Sequence, residues 1–134
     1  MPELAPSWKT LAVSVVGAAH LKQDKGNEDA YGLCSSAEGA LVLVASDGAG
    51  SAACAAEGSA LVVAAALELL TGKPLPHSVD SWQTELLELA CQLHRMLAEV
   101  ACERGLAAGQ FAATLLLTVL TKTHVAALQI GDGS

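Results

Sequence analysis

The sequence predicts an α+β domain in which antiparallel β-structure is flanked by two helices. Three observations predict it. Strand-like runs fall into two groups, before and after a pair of long helical stretches, and do not alternate with them. Each helical stretch is long and closed by glycine, Gly72 and Gly105. The last two strand-like runs are split only by a short turn at Lys122, the spacing of a hairpin.

Taken in order, residues 11–16 alternate weakly and read as a first strand. Gly17 to Gly26 reads as a loop carrying His20, Lys22 and Lys25. Asp29 to Cys34 is a short second strand. Leu41 to Ser46 is a continuous apolar run, predicting a central strand buried on both faces. Ser51 to Leu70 is apolar nearly all round and predicts a mostly covered helix, with Glu57 and Glu68 at its outer edge and Gly72 and Pro74 ending it. A second helix is predicted from Ser81 to Arg104, capped by Asp80 with Gln83 and closed by Gly105. Its stripe is Leu86, Ala90, Leu93, Leu97 and Ala101, opposite Glu85, Glu88, Gln92, Arg95, Glu99 and Glu103. Phe111 to Leu120 and Thr123 to Ile130 are the closing hairpin.

The 134 residues make one domain or part of one. With 52% hydrophobic residues the chain is not disordered, but only 3% are aromatic, so Ala, Leu and Val must build the core. The net charge of −7 argues against a nucleic-acid or anionic-membrane surface. No apolar run is long enough for a membrane span, and no signal peptide opens the chain. Cys34, Cys54, Cys91 and Cys102 lack C-x-x-C spacing, which argues against zinc and predicts reduced core thiols in a cytoplasmic protein. Trp8 and Trp82 read as packing anchors, and His77, His94 and His124 as non-ligands.

Acids at strand ends carry the chemistry. Asp47 closes the apolar run and precedes Gly48-Ala49-Gly50-Ser51. Glu28 and Asp29 open the strand before it, and Asp132 follows the last strand. Taken alone, Asp47-Gly48 is a common turn pair. Together the acids predict one rim of oxygen ligands suited to Mg²⁺ or Mn²⁺, with the Gly48 carbonyl left open beside them. A nucleotide-binding reading of Gly48-Ala49-Gly50 lacks both the third glycine, since Ala53 stands there, and a Gly-Lys-Ser/Thr run.

Several motifs then occur in order: Gly17-x-x-His20, Asn27-Glu28-Asp29-Ala30, Ser46-Asp47-Gly48-x-Gly50-Ser51, Ala113-Thr114-Leu115-Leu116 and Gly131-Asp132-Gly133-Ser134. This series resembles the metal-dependent protein phosphatases, the type 2C serine/threonine family, and within it the bacterial branch. The resemblance implies the first part of an α/β/β/α sandwich. It implies hydrolysis of a phosphorylated protein by metal-activated water, with two Mn²⁺ or Mg²⁺ ions in a complete domain. By resemblance Asp47 bridges the metals and is catalytic, and the Gly48 carbonyl binds one of them. Glu28 and Asp29 hold metal directly or through water, Asp132 serves a third, weaker metal, and His20 is catalytic through binding phosphate.

Three departures temper activity: Ala49 stands where some relatives carry a histidine, no arginine precedes Glu28-Asp29, and two later aspartates have no counterpart. The chain therefore reads as a single partial domain over residues 1–134, with an unpaired last strand available for self-association. The competing function is a degenerate, non-catalytic binding or regulatory module of the same fold.

Overall fold

The computed structural model describes residues 8–24 and 26–131. Its elements are α1 (Ala18–Lys22), β1 (Asp29–Ser35), β2 (Leu41–Asp47), α2 (Ala55–Thr71), α3 (Val79–Glu103), a 3₁₀ turn (Ala108–Phe111), β3 (Leu115–Leu120) and β4 (Val125–Ile130). The strands form one four-stranded sheet in the order β1-β2-β3-β4 among the described residues, each pair antiparallel. The predicted α+β class, with antiparallel strands flanked by two long helices, is the observed one.

The period of two along each strand decides which side chains enter the core. Val42 and Val44 of β2 and Leu115, Leu117 and Val119 of β3 point inward. They meet Val62, Val63, Ala66 and Leu70 of α2 and Trp82, Leu86, Leu89 and Leu93 of α3 in one cluster. Burying each large apolar side chain contributes about 1.5–3 kcal/mol, so this single layer of helix against sheet holds the fold.

Among the described residues the other sheet face is only partly covered: Leu41 is buried and Leu43 half-buried, but β2 is not buried on both faces along its whole length as expected. In β2, Ala45 and Asp47 are exposed while their neighbours Val44 and Ser46 are buried. Tyr31, Leu33, Leu116 and Val125 stand exposed on that outer face. Residues 11–16 are not a sheet strand either. Leu11, Val13 and Val15 stay exposed, and the segment touches the sheet through polar bonds: the Tyr31 hydroxyl donates to the Ala12 carbonyl at 3.3 Å and Asn27 Nδ2 to Ser14 Oγ at 2.7 Å. The expected loop after Gly17 holds the single turn α1, where Ala18, Ala19 and Leu21 are good helix formers.

The long helices shift at their ends. α2 begins at Ala55, and Gln110 accepts the N–H groups of Ala53 and Cys54, which have no partner within the helix. It is covered on one side only, with Ala56, Ala60 and Ala64 exposed. α3 begins at Val79, capped by Ser78, whose Oγ accepts the Ser81 N–H; the Asp80–Gln83 box is not the cap. Its end is as predicted: Gly105 at φ +65° donates to Cys102 and Leu106 N–H donates to Ala101, a Schellman closure. Cys91 and Cys102 face solvent and are not core residues, because they fall off the buried stripe of α3; Trp8 is 43% exposed, whereas Trp82 lies in the core. Burial pushes the Cys34 thiol pKa up, which keeps it protonated and inert.

One ion pair ties the two long helices. Arg104 donates from both terminal nitrogens to Glu57 and lies over the Phe111 ring at 5.5 Å. The hydrogen bonds from Arg104 hold the Glu57 carboxyl below the usual carboxylate range. A depressed folded pKa adds stability that is present above the unfolded value and lost as pH falls through the folded one. Unfolding of Arg104→Met should therefore show less loss of stability between neutral and strongly acid pH than the wild type, a modest difference because both side chains reach solvent, which screens the pair.

Candidate metal centre

The register of β1 on β2 places Asp29 directly opposite Asp47 at the end of the sheet. The Gly48 N–H donates to the Glu28 carbonyl at 3.0 Å, which marks Glu28 and Gly48 as a hydrogen-bonded pair. Asp29 and Asp47, one step along, are then the other kind of antiparallel pair, in which Cα atoms approach to about 4.5 Å and side chains lie closest. Both carboxylates are exposed on the outer face, at the head of a groove of about 840 Å³ that runs down over Tyr31, Leu43 and Leu116. Like charges so opposed are destabilising. A cation between them reverses the sign of that interaction.

Glycine is required after Asp47. A Cβ on Gly48 would stand 2.5 Å from the Ala55 carbonyl oxygen and 2.8 Å from that of Glu28, so any side chain would force β2 away from α2. The Glu28 carbonyl also accepts the hydroxyl of the fully buried Ser59 at 2.6 Å. Thr114, just before β3, grips Asp47: its N–H donates to the Asp47 carbonyl at 2.8 Å and its Oγ1 accepts the Asp47 N–H at 3.0 Å.

Not all the predicted ligands meet. Glu28 is at the same rim, but strand alternation turns it to the opposite side from Asp29. It lines a separate small cleft with Gly26, Cys54 and Glu57 at the start of α2, and its Oε2 is buried without a hydrogen-bond partner among the described residues. Such an oxygen carries a desolvation cost of order 1–3 kcal/mol or more. Asp132 lies outside the described residues, as does Lys25. Of His20 only the backbone, in α1, is described, and Lys22 is exposed. No cluster of three or more His, Cys, Asp or Glu that could hold a metal occurs among the described residues. Among the described residues the acids that face each other are Asp29 and Asp47, with Gly48 adjacent.

The glycine loop is not a phosphate cradle. The N–H groups of Gly48, Ala49, Ala52 and Cys54 are taken by the carbonyls of Glu28, Ala112, Ala49 and Gln110, and that of Ala53 by Gln110 Oε1. These five donors are therefore not offered to a phosphate, which weakens the nucleotide-binding reading. Ser59 and Gln110 thus build the site without having been singled out for it, and Thr114 stands out in the sequence only within the Ala113-Thr114-Leu115-Leu116 motif, with no role given. The one signal of Ser59 and Gln110 in the sequence is polarity within otherwise small and apolar stretches.

A family model described as "Protein phosphatase 2C" matches residues 16–134, which takes in both strands of the acidic rim and the segment that braces them. No curated protein and no solved structure matches the chain. The ordered motifs, the antiparallel α+β fold and a match over most of the length agree: the chain belongs to the protein phosphatase 2C family.

Proposed function

We propose that this chain is a metal-dependent protein serine/threonine phosphatase domain whose Asp29–Asp47 rim holds Mn²⁺ or Mg²⁺. The observation that carries the reading is the close cross-strand pairing of these two carboxylates on an open face. Bound there, a divalent ion would lower the pKa of a coordinated water, making hydroxide available as the nucleophile at phosphorus, and its charge would draw phosphate oxygens. Asp29 and Asp47 hold the ion, and the Gly48 carbonyl offers a further oxygen. His20 is assigned to the phosphate and Asp132 to a weaker outer ion, both from the family pattern. Glu28, with a buried oxygen in want of a partner, is assigned to the rim through water. The substrate is a phosphorylated protein and the setting the cytoplasm, in keeping with four free thiols and with the absence of a described helix able to cross a membrane. β4 carries no charge, proline or bulge to blunt its outer edge, which supports pairing with a second copy.

A second reading, a non-catalytic module of the same fold, is favoured by the presence of only two facing carboxylates among the described residues. Calorimetric titration with Mn²⁺, paired with hydrolysis of p-nitrophenyl phosphate, separates the two. Weak Mn²⁺ binding with slow, Mn²⁺-dependent hydrolysis is the expected result. No Mn²⁺ binding and no hydrolysis would sink the phosphatase reading in favour of the module.

A further inference from the structure

The β2–β3 ladder keeps one register from Leu41 opposite Leu120 to Ala45 opposite Leu116. Extended by one further pair on the same face, it sets Asp47 opposite Thr114. The bridge between Gly48 and Ala113 and the bond from Ala49 N–H to the Ala112 carbonyl show that the register persists beyond. A regular hydrogen-bonded pair at this place would exchange two backbone bonds. Asp47 and Thr114 exchange only one, from Thr114 N–H to the Asp47 carbonyl at 2.8 Å. The other is replaced: Asp47 N–H goes to Thr114 Oγ1 at 3.0 Å, and the displaced Thr114 carbonyl accepts the hydroxyl of the buried Ser46 at 2.5 Å.

A single side chain therefore stands in for a rung of the sheet, at the one position where β2 presents a carboxylate to Asp29. The same side chain has a second contact. A Cβ built on Gly131 would lie 3.0 Å from Thr114 Cγ2, so the methyl seats the turn by which the chain leaves β4. We propose that Thr114 is the positioning residue of the site. Its hydroxyl fixes the Asp47 peptide, and with it the carboxylate relative to Asp29, while its methyl sets the path of the chain at Gly131. The proposal rests on the metal reading above.

Two substitutions separate hydroxyl from shape. Thr114→Val keeps the branched outline and removes the acceptor; Thr114→Ser keeps the acceptor and removes the methyl. Mn²⁺ affinity, by calorimetry on the whole chain, should fall on the order of 10-fold or more in T114V, the range found for partners that orient a metal ligand. It should stay near wild type in T114S. In the metal-free chain the Asp47 amide should exchange hydrogen faster in T114V, while the amides of Leu117 and Val119 keep their protection and show that the sheet is intact. Wild-type affinity in T114V, unchanged protection of the Asp47 amide, or equal loss in T114S and T114V would each overturn the assignment. A wild-type chain that binds no Mn²⁺ would instead overturn the metal reading on which it rests.

Discussion

Replacing Gly58 by alanine should destabilise the protein by about 1–2 kcal/mol, the opposite of what its place in a helix predicts. In the interior of a helix, Gly→Ala ordinarily favours folding by about 1 kcal/mol, because alanine loses less backbone entropy. Gly58 lies in the first turn of α2, and there the space decides. A Cβ would stand 2.2 Å from the Phe111 carbonyl oxygen, 2.8 Å from its carbon and 3.1 Å from its Cα. These are backbone atoms that cannot swing aside. The segment that carries them is pinned by the bonds of Gln110 to Ala53 and Cys54, by that of Ala112 to Ala49, and by a Phe111 side chain with no exposure. Relief means parting α2 from the 3₁₀ turn, an overpacking cost of about 1–3 kcal/mol or more set against the propensity gain. For a domain whose total stability is on the order of 5–15 kcal/mol, such a loss is large. Urea unfolding of G58A beside wild type measures it; a variant of equal or greater stability would show that the close approach of helix and turn is not fixed.

That contact also marks the limit of what the sequence discloses. Period and punctuation are enough for the strands, the two long helices and the hairpin, since an apolar run between glycine-rich turns has few other folds open to it. The Schellman end at Gly105 is legible for the same reason. Whether a face is covered is not legible. Leu41–Ser46 reads as buried on both sides because apolar residues fill both, yet Leu43 and Ala45 lie on a face where the described residues leave an open groove, lined on its other side by Leu11 to Ser14. Residues 11–16 have a strand's composition but no neighbour with which to pair. In the site, Asp29 and Asp47 are legible because strand ends and their acids can be read in order. The division between Asp29, on the outer face, and Glu28, on the helix side, follows from alternation and depends on where β1 begins. The bracing by Ser59, Gln110 and Thr114 comes from residues 31 to 68 positions away from their partners, a separation that no local pattern records.

Asp47→Asn should abolish most of the Mn²⁺ response. The change removes a charge and keeps the shape, so Thr114 can still hold the peptide. Partners that merely orient a ligand change metal affinity by 10- to 100-fold when lost, and a ligand itself should lie at or above the upper end, about 100-fold. At Mn²⁺ one hundred times the wild-type Kd, binding stabilises the folded wild type by about 2.7 kcal/mol. After a hundredfold loss the same concentration yields only about 0.4 kcal/mol. Asp29→Asn should behave alike, and the double variant should lose little more than either single one, because both carboxylates serve one ion and their effects are not additive. Without metal the sign changes: either substitution relieves the repulsion of the opposed pair, worth a few tenths of a kcal/mol to about 1 kcal/mol. Thermal unfolding of the wild type and the three variants, with and without Mn²⁺, tests both halves. If Asp47 and Asp29 only cap turns, their replacement will leave the Mn²⁺ shift unchanged. A shared site requires that the pair destabilise the metal-free fold and that the same pair account for nearly all that metal restores.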